Sequence, residues 1–342
     1  MSDDGRVGPE PATPSAVSAN DISRSDAVPE AEAPAFDPAA ERKRIKAERR
    51  ALLLKSPAFV VGTLIVLFWL LCAVFPGWFT AYAPNDFNTA VGPRQGPTGD
   101  AWFGTNDISN DVFARTIHGA RPVLIVAPIA AVLAVFAGTM LGLIMGYFRG
   151  LVDEVLSRII EALLSIPVIL LGIMVLATLG NSRMIIILTI AILFTPVVTR
   201  TVRSAVMAEA QLDYVTSAKL RGENSMFIMV REILPNITGV IVVELTVRIG
   251  YAVFTVATLA FLGLTAEDST SADWGVDVAK QRQGIPQGDW WGSVFPALAI
   301  LVKRTTNFMP LKMSLATWMP KLASKATNSA TSKVSWVLPK TS

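Results

Sequence analysis

Cysteine and histidine are almost missing from this 342-residue sequence: Cys72 and His118 each stand alone. A single cysteine excludes an intramolecular disulfide and a cysteine-based zinc site. Cys72 lies in an apolar run, which fits a buried, inert thiol. His118 has no Ser or Asp context that would make it the centre of a catalytic triad. Charge is scarce too: Asp, Glu, Lys and Arg make up 17% of the chain, against about 25% in soluble domains. No Gly-x-x-x-x-Gly-Lys-Ser/Thr run occurs, so the backbone nest that cradles nucleotide phosphates is absent. The apolar runs hold no metal-spaced His/Asp cluster and no paired carboxylates, which argues against a membrane enzyme and against any bound cofactor. No ten-residue units alternate at period two, which argues against a β-barrel. A cleaved signal runs from a short basic stretch straight into an apolar core, whereas roughly fifty polar residues come first here.

What is abundant is hydrophobicity. Apolar residues make up 52% of the chain and mean hydropathy is +0.48. The net charge of +3 is spread unevenly. Residues 1–40 are acidic and rich in Pro, Ala and Ser, and 41–55 are basic. These blocks read as flanks of a membrane body rather than a nucleic-acid surface. The leader, 1–55, is expected to be disordered, because it buries too little to offset ordering entropy. A spanning helix needs about 20 mostly apolar residues. Candidates run over 58–79, 122–148, 159–179, 184–202 and 237–264, with a sixth starting near Trp291. Backbone groups in lipid must be satisfied internally, so these segments are expected to be helices. The fold class is therefore an all-α integral membrane protein with about six transmembrane helices. It divides into the leader, a first helix with its outer loop (56–121), a core (122–302) and a tail (303–342). Arg42, Lys43, Arg44, Lys46, Arg49, Arg50 and Lys55 precede the first helix and place the N-terminus in the cytoplasm. The loop 203–236, with Lys219, Arg221 and Arg231, is then also inside.

That inner loop is the first functional candidate. Ala218, Gly222 and Pro235 sit at spacings that define two short helices with a break between them. Gly222 ends the first, since glycine readily takes the left-handed cap. Pro235 marks re-entry into the membrane. A short protruding helix makes a compact knob that can dock in a partner's groove; an amphipathic surface loop is the plainer reading. Gly138, Gly142 and Gly146, four apart, allow close helix approach, either within this subunit or at a seam with another. Glu244 and Arg248, also four apart, form a mid-span pair that is either structural or faces a pathway. Trp78, Trp102, Trp274, Trp290 and Trp291 fit an interfacial belt, interspersed with Asp107, Asp111 and Asp277.

Several ordered segments carry a family resemblance. Trp102-Phe103-Gly104-Thr105-Asn106-Asp107, then Asn110-Asp111-Val112-Phe113-Ala114-Arg115 and Gly119-Ala120-Arg121, resemble LGTDxxGRDVxSR…GAR. Leu141-Gly142 through Gly146-Tyr147, with Asp153, resembles LGxxxGYxGGxxD. Ile166-Pro167, Tyr214-Val215, Leu234-Pro235-Asn236, Leu259-Ala260-Phe261-Leu262-Gly263-Leu264 and Trp274-Gly275 through Trp290-Trp291 continue the series. Together, over roughly 50–302, they resemble the dipeptide/oligopeptide/nickel (DppC/OppC-like) permeases of ABC importers. The loop from Tyr214 resembles their EAA loop. The resemblance implies a type I permease fold in a bacterial inner membrane, with Tyr214, Ala218, Gly222 and Pro235 as the ATPase-coupling residues. It also implies partners: a second related permease, two ATP-binding subunits and an extracytoplasmic substrate-binding protein. Peptides, nickel and other small solutes stay open as substrates. A self-contained carrier or channel is the alternative class, but no convincing internal repeat accompanies it.

The chain departs from that pattern at Thr216 and Ser217, where the EAA loop has Glu and Ala, and at Asn110 and Val256. The tail departs further. The apolar run from Ser293 to Val302 is cut by Lys303 and Arg304, too short to cross a core of about 30 Å. Lys312, Lys321, Lys325, Lys333 and Lys340 follow, with no Asp or Glu. The expectation is a truncated sixth helix, from either a shifted reading frame near Val302–Lys303 or a divergent basic tail at the inner face.

Overall fold

The computed structural model describes residues 57–264 and 272–301. The leader with its basic segment, part of the last outer loop and the tail with its suspected frame change lie outside the described residues.

The first helix, α1, spans Pro57–Val74. Leu64, Leu67, Phe68 and Leu71 stay exposed on it while Trp69 and Cys72 are buried. This is the distribution of a lipid-facing span with one packed side. It ends five residues before the expected position, because Pro76 disfavours helical backbone at Phe75.

Next come α2 (Val112–His118) and α3 (Ala120–Phe148). They form one continuous apolar run of 37 residues. The expected start at 122 was ten residues late. Asp111 caps the run by accepting from the Phe113 and Ala114 amides, and the polar residues Arg115, His118 and Arg121 hide that first part from hydropathy.

The third expected span is not one helix. It divides into α4 (Gly150–Ser165) and α5 (Val168–Leu179), bent by 88°. Ile166 is extended, at φ −89° and ψ 130°, because Pro167 clashes with helical backbone in the residue before it. Ser182 then caps α6, Arg183–Glu209.

A short helix α7 (Asp213–Leu220) leads into α8, Ser225–Phe261, a second run of 37 residues. After it come α9 (Trp274–Gln281) and α10 (Trp291–Leu301). By length and apolarity α2–α3, α6 and α8 can cross a membrane unaided, and the bent pair α4–α5 can count as a fourth span. The described part of α10 is a shorter apolar helix.

The packing axis is α3 against α6. Gly138, Gly142 and Gly146 lie on it. A Cβ on each would fall 2.6–2.8 Å from the Cβ of Val198, Val202 and Val206, respectively. Carbon atoms pack best at about 3.5–4.0 Å, so only glycine lets these backbones approach so closely. Around this axis sit two apolar clusters. One gathers Trp69, Cys72, Ile117, Val123, Ile190, Leu259 and Trp274. The other gathers Val198, Val202, Val206, Val215, Ala218, Ile228 and Ile233. Leu245 of α8 touches both.

Candidate functional site

The loop between α6 and α8 is built from its caps inward. In α7, Val215 and Ala218 are fully buried in the second cluster. Three apart, they fall on one helix face. The helix stops in a Schellman turn: the Glu223 amide donates to the Ala218 carbonyl and the Gly222 amide to the Lys219 carbonyl. Gly222 takes φ +77° there, in open space. The glycine is thus required by backbone conformation, not by crowding. Asn224 caps the next helix by accepting from the Met226 amide.

Here the expected arrangement is corrected. The break falls at 221–224, and no second short helix is closed off before Pro235. It lies inside α8, just after a π-helical segment, Ile228–Ile233, in which the Leu234 amide reaches back to the Met229 carbonyl. That widened turn accommodates a residue without an N–H inside a continuous helix.

Tyr214 ties the two ends of the loop together. Its hydroxyl donates to Glu209 Oε1 at 2.9 Å and accepts from Asn236 Nδ2 at 3.0 Å. Burial, with the Glu209 carboxylate as acceptor, pushes the phenol up to about 12. Lys219 lies over the Tyr147 ring, 5.1 Å from its centroid. With Val215 and Ala218 turned inward, the outer side of the loop carries exposed apolar side chains among polar ones such as Asp213, Lys219 and Arg221. Leu220 is 84% exposed, and Leu212, Met226, Phe227 and Val230 are exposed around it. Thr216 and Ser217 lie on the exposed side as well.

Two anchors were not legible as pairs. Arg203 of α6 forms a bidentate pair with Asp153 of α4, with Nη2 to Oδ2 at 2.6 Å. Arg149 donates to the Met207 carbonyl at 3.1 Å. At the opposite end of α2–α3, Arg115 donates twice to Asp277 Oδ1, at 2.6 and 2.9 Å, and also to Pro84 O and Asn85 Oδ1. Burial pushes the Asp277 carboxyl above the usual carboxylate range, against the pull of Arg115.

The motif residues of the long outer loop prove to be architectural. The Asn106 side chain accepts from the Asn110 amide, and Asn110 donates to Asp86 O. Trp274 corrects the belt expectation. It is fully buried, its indole N–H donating to Thr116 O at 2.7 Å. Trp291 likewise donates to Thr105 O at 3.1 Å. Gly119 and Gly104 leave room for these rings, since a Cβ would meet Trp274 Cδ1 at 2.6 Å and Trp291 Cδ1 at 2.8 Å. Trp78 and Trp102 remain exposed, at 79% and 67%. A tryptophan flanking a span is ambiguous in sequence between lipid anchor and core; the glycines opposite were the available signal.

Several apolar helices long enough to cross a membrane and a helical loop with its feet buried between them define the class: a multi-pass membrane permease. The chain belongs to the family of binding-protein-dependent transport system inner membrane components, whose family model matches residues 138–303. It is 36% identical over 250 residues to the dipeptide transport system permease protein DppC of Alkalihalophilus pseudofirmus, covering 73% of this chain and 81% of that relative. It is 32% identical over 253 residues to the probable D,D-dipeptide transport system permease protein DdpC of Escherichia coli, covering 73% and 83%. To the glutathione transport system permease protein GsiD of Pectobacterium atrosepticum it is 31% identical over 249 residues, covering 73% and 82%. The chain is a subunit of a transport system, not a catalytic enzyme.

Proposed function

We propose that this chain is one of two related permease subunits of an ATP-driven importer of di- and oligopeptides, with its N-terminus in the cytoplasm. Hydrolysis takes place in two separate ATP-binding subunits, and an extracytoplasmic binding protein delivers the substrate. The names of the relatives support the peptide class. The observation that carries the coupling role is the two-sided loop. Val215 and Ala218 are locked into the core, while Leu220, Met226 and Phe227 stand out from it. An ATPase docked on the outer side would push on the inner one. Tyr214 and Gly222 hold the loop's shape, and Pro235 lies where its second arm joins the span. Thr216 and Ser217 replace residues that hold the loop in the family pattern, so the apolar tip carries more of the docking here.

The test is reconstitution with the second permease, the ATPases and the binding protein in liposomes, with uptake of labelled dipeptide, glutathione and nickel compared. Dipeptide uptake that needs ATP and the binding protein is expected. Nucleotide hydrolysis by this purified chain alone, or dipeptide uptake without ATP, would overturn the assignment.

A further inference from the structure

The Glu244–Arg248 pair has more hydrogen-bonding capacity than the protein uses. Arg248 Nε donates to Glu244 Oε2 at 3.0 Å. The guanidinium lies 5.3 Å from the Tyr251 ring centroid and 5.8 Å from that of Phe194 on α6. The two side chains are only 11% and 12% exposed. Among the described residues Arg248 Nη1 and Nη2 and Glu244 Oε1 have no protein partner, and none of them is among the buried atoms sealed without one. They therefore open outward from α8.

The direction is given by the helix. Glu244, Val247, Tyr251, Phe254 and Thr258 recur at three- and four-residue steps, so they form one stripe. Tyr251 and Phe254 on it are exposed, at 39% and 40%. α8 is also the least covered of the three long spans, with 33% of its apolar window buried against 50% and 61% for the others. Unpaired N–H donors and a carboxylate oxygen cannot face hydrocarbon without a large cost. That flank of α8 is therefore matched to a polar, hydrated surrounding rather than to lipid.

We infer that Glu244 and Arg248 form a dipolar binding site inside the transport pathway, taking the two termini of a zwitterionic peptide. Arg248 presents the free fork of its guanidinium to the carboxylate, a planar bidentate match. Glu244 accepts from the ammonium. The pair is neutral when closed on itself and stays neutral when each member exchanges its partner for a substrate terminus, so no net charge is buried at any step. Phe254 and Tyr251 supply the apolar wall beside it. A purely structural pair needs none of the outward-facing donors. This inference rests on the peptide reading given above.

The experiment uses the complete reconstituted importer with saturating loaded binding protein. Arg248→Met and Glu244→Gln are each expected to lower the maximal rate of dipeptide uptake at least tenfold in complexes that still assemble. The exchanged pair Glu244→Arg/Arg248→Glu is expected to assemble yet to remain at least tenfold slow. Wild-type uptake by the exchanged pair would make the pair structural and overturn the inference, whereas failure of wild-type protein to move dipeptide would overturn the peptide reading instead. A second measurement covers misassembly. Tyr251→Cys in a Cys72→Ala background should react with a charged, membrane-impermeant methanethiosulfonate, and dipeptide should slow that reaction. An unreactive cysteine in every nucleotide state rules out a water-facing site.

Discussion

Gly142→Ala separates packing from helix propensity, because the two effects have opposite signs. In a helix interior alanine is favoured over glycine by about 0.5–1 kcal/mol. Propensity alone therefore makes the variant more stable. The added Cβ, however, would lie 2.8 Å from both Cβ and Cγ1 of Val202 and 3.0 Å from the Arg203 amide nitrogen. Restoring ordinary carbon contact at about 3.5–4.0 Å means separating α3 and α6 by roughly 0.7–1.2 Å. Overpacking of that kind costs about 1–3 kcal/mol. The expected net is a loss of about 0–2.5 kcal/mol, read by denaturant titration of the detergent-solubilised protein. Val202→Ala in that background removes the Cγ1 contact but leaves the Cβ and amide contacts, so rescue should be partial. Alanine at Gly138 and Gly146 as well should cost less than three times the single change, because a gap opened at one site relieves the next. Stabilisation by Gly142→Ala, or no coupling to Val202, would refute the close-approach argument.

Three further outcomes follow from the caps and clamps. Gly222→Ala places a Cβ in left-handed backbone at a cost of about 1–2 kcal/mol, so faster hydrogen exchange at the Glu223 amide is expected. A bulky residue there should also reduce ATPase co-purification; unchanged association and uptake count against the coupling role. Tyr214 holds its proton up to about pH 12, while an unfolded tyrosine loses it near pH 10. Its contribution is thus complete below pH 10 and lost as pH rises through about 12. Tyr214→Phe should remove that share of the alkaline stability loss and leave the slope below pH 9 unchanged. Asp277→Leu leaves the Arg115 guanidinium, among the described residues, with only Pro84 O and Asn85 Oδ1 as acceptors. Stranding one charge of a buried pair costs about 3–5 kcal/mol, seen as a lower thermal midpoint, and Arg115→Met/Asp277→Leu should recover much of it.

The sequence is legible where one physical cause dominates. Apolar length alone locates α3, α6 and α8. Gly222 and the glycine row are readable because only glycine meets a positive φ or a close approach. Where two causes compete, hydropathy misleads. Residues 159–179 are apolar throughout, yet one Ile–Pro step turns the chain by 88°. Residues 112–121 are polar enough to resemble loop, yet the Asp111 cap and the Trp274 lid make them helix. Pro235 resembles a boundary, and the π turn before it removes the conflict. Long-range partners such as Asp153 with Arg203 leave no local trace, since they lie 50 residues apart.

The same contacts explain why a push at the loop need not be absorbed there. Val215 and Ala218 sit in one cluster with Val202 and Val206, and those valines occupy the spaces left by Gly142 and Gly146. A displacement of α7 therefore meets α6 and α3 directly, with no intervening flexible segment. Arg203, paired to Asp153, brings α4 into the same body. The helical run Val112–Phe148 carries contacts at both extremes: Tyr147 under Lys219 at one, and Arg115 on Asp277 at the other. At 1.5 Å per residue it is about 55 Å long, so a tilt of only about 5° shifts one end by roughly 5 Å relative to the other. Pro128 removes one hydrogen bond within it, but Ala127, Ala130 and Ala131 around that point are fully buried and hold the helix in place. Rigid tilting of a packed pair, rather than bending within it, is the motion this arrangement favours.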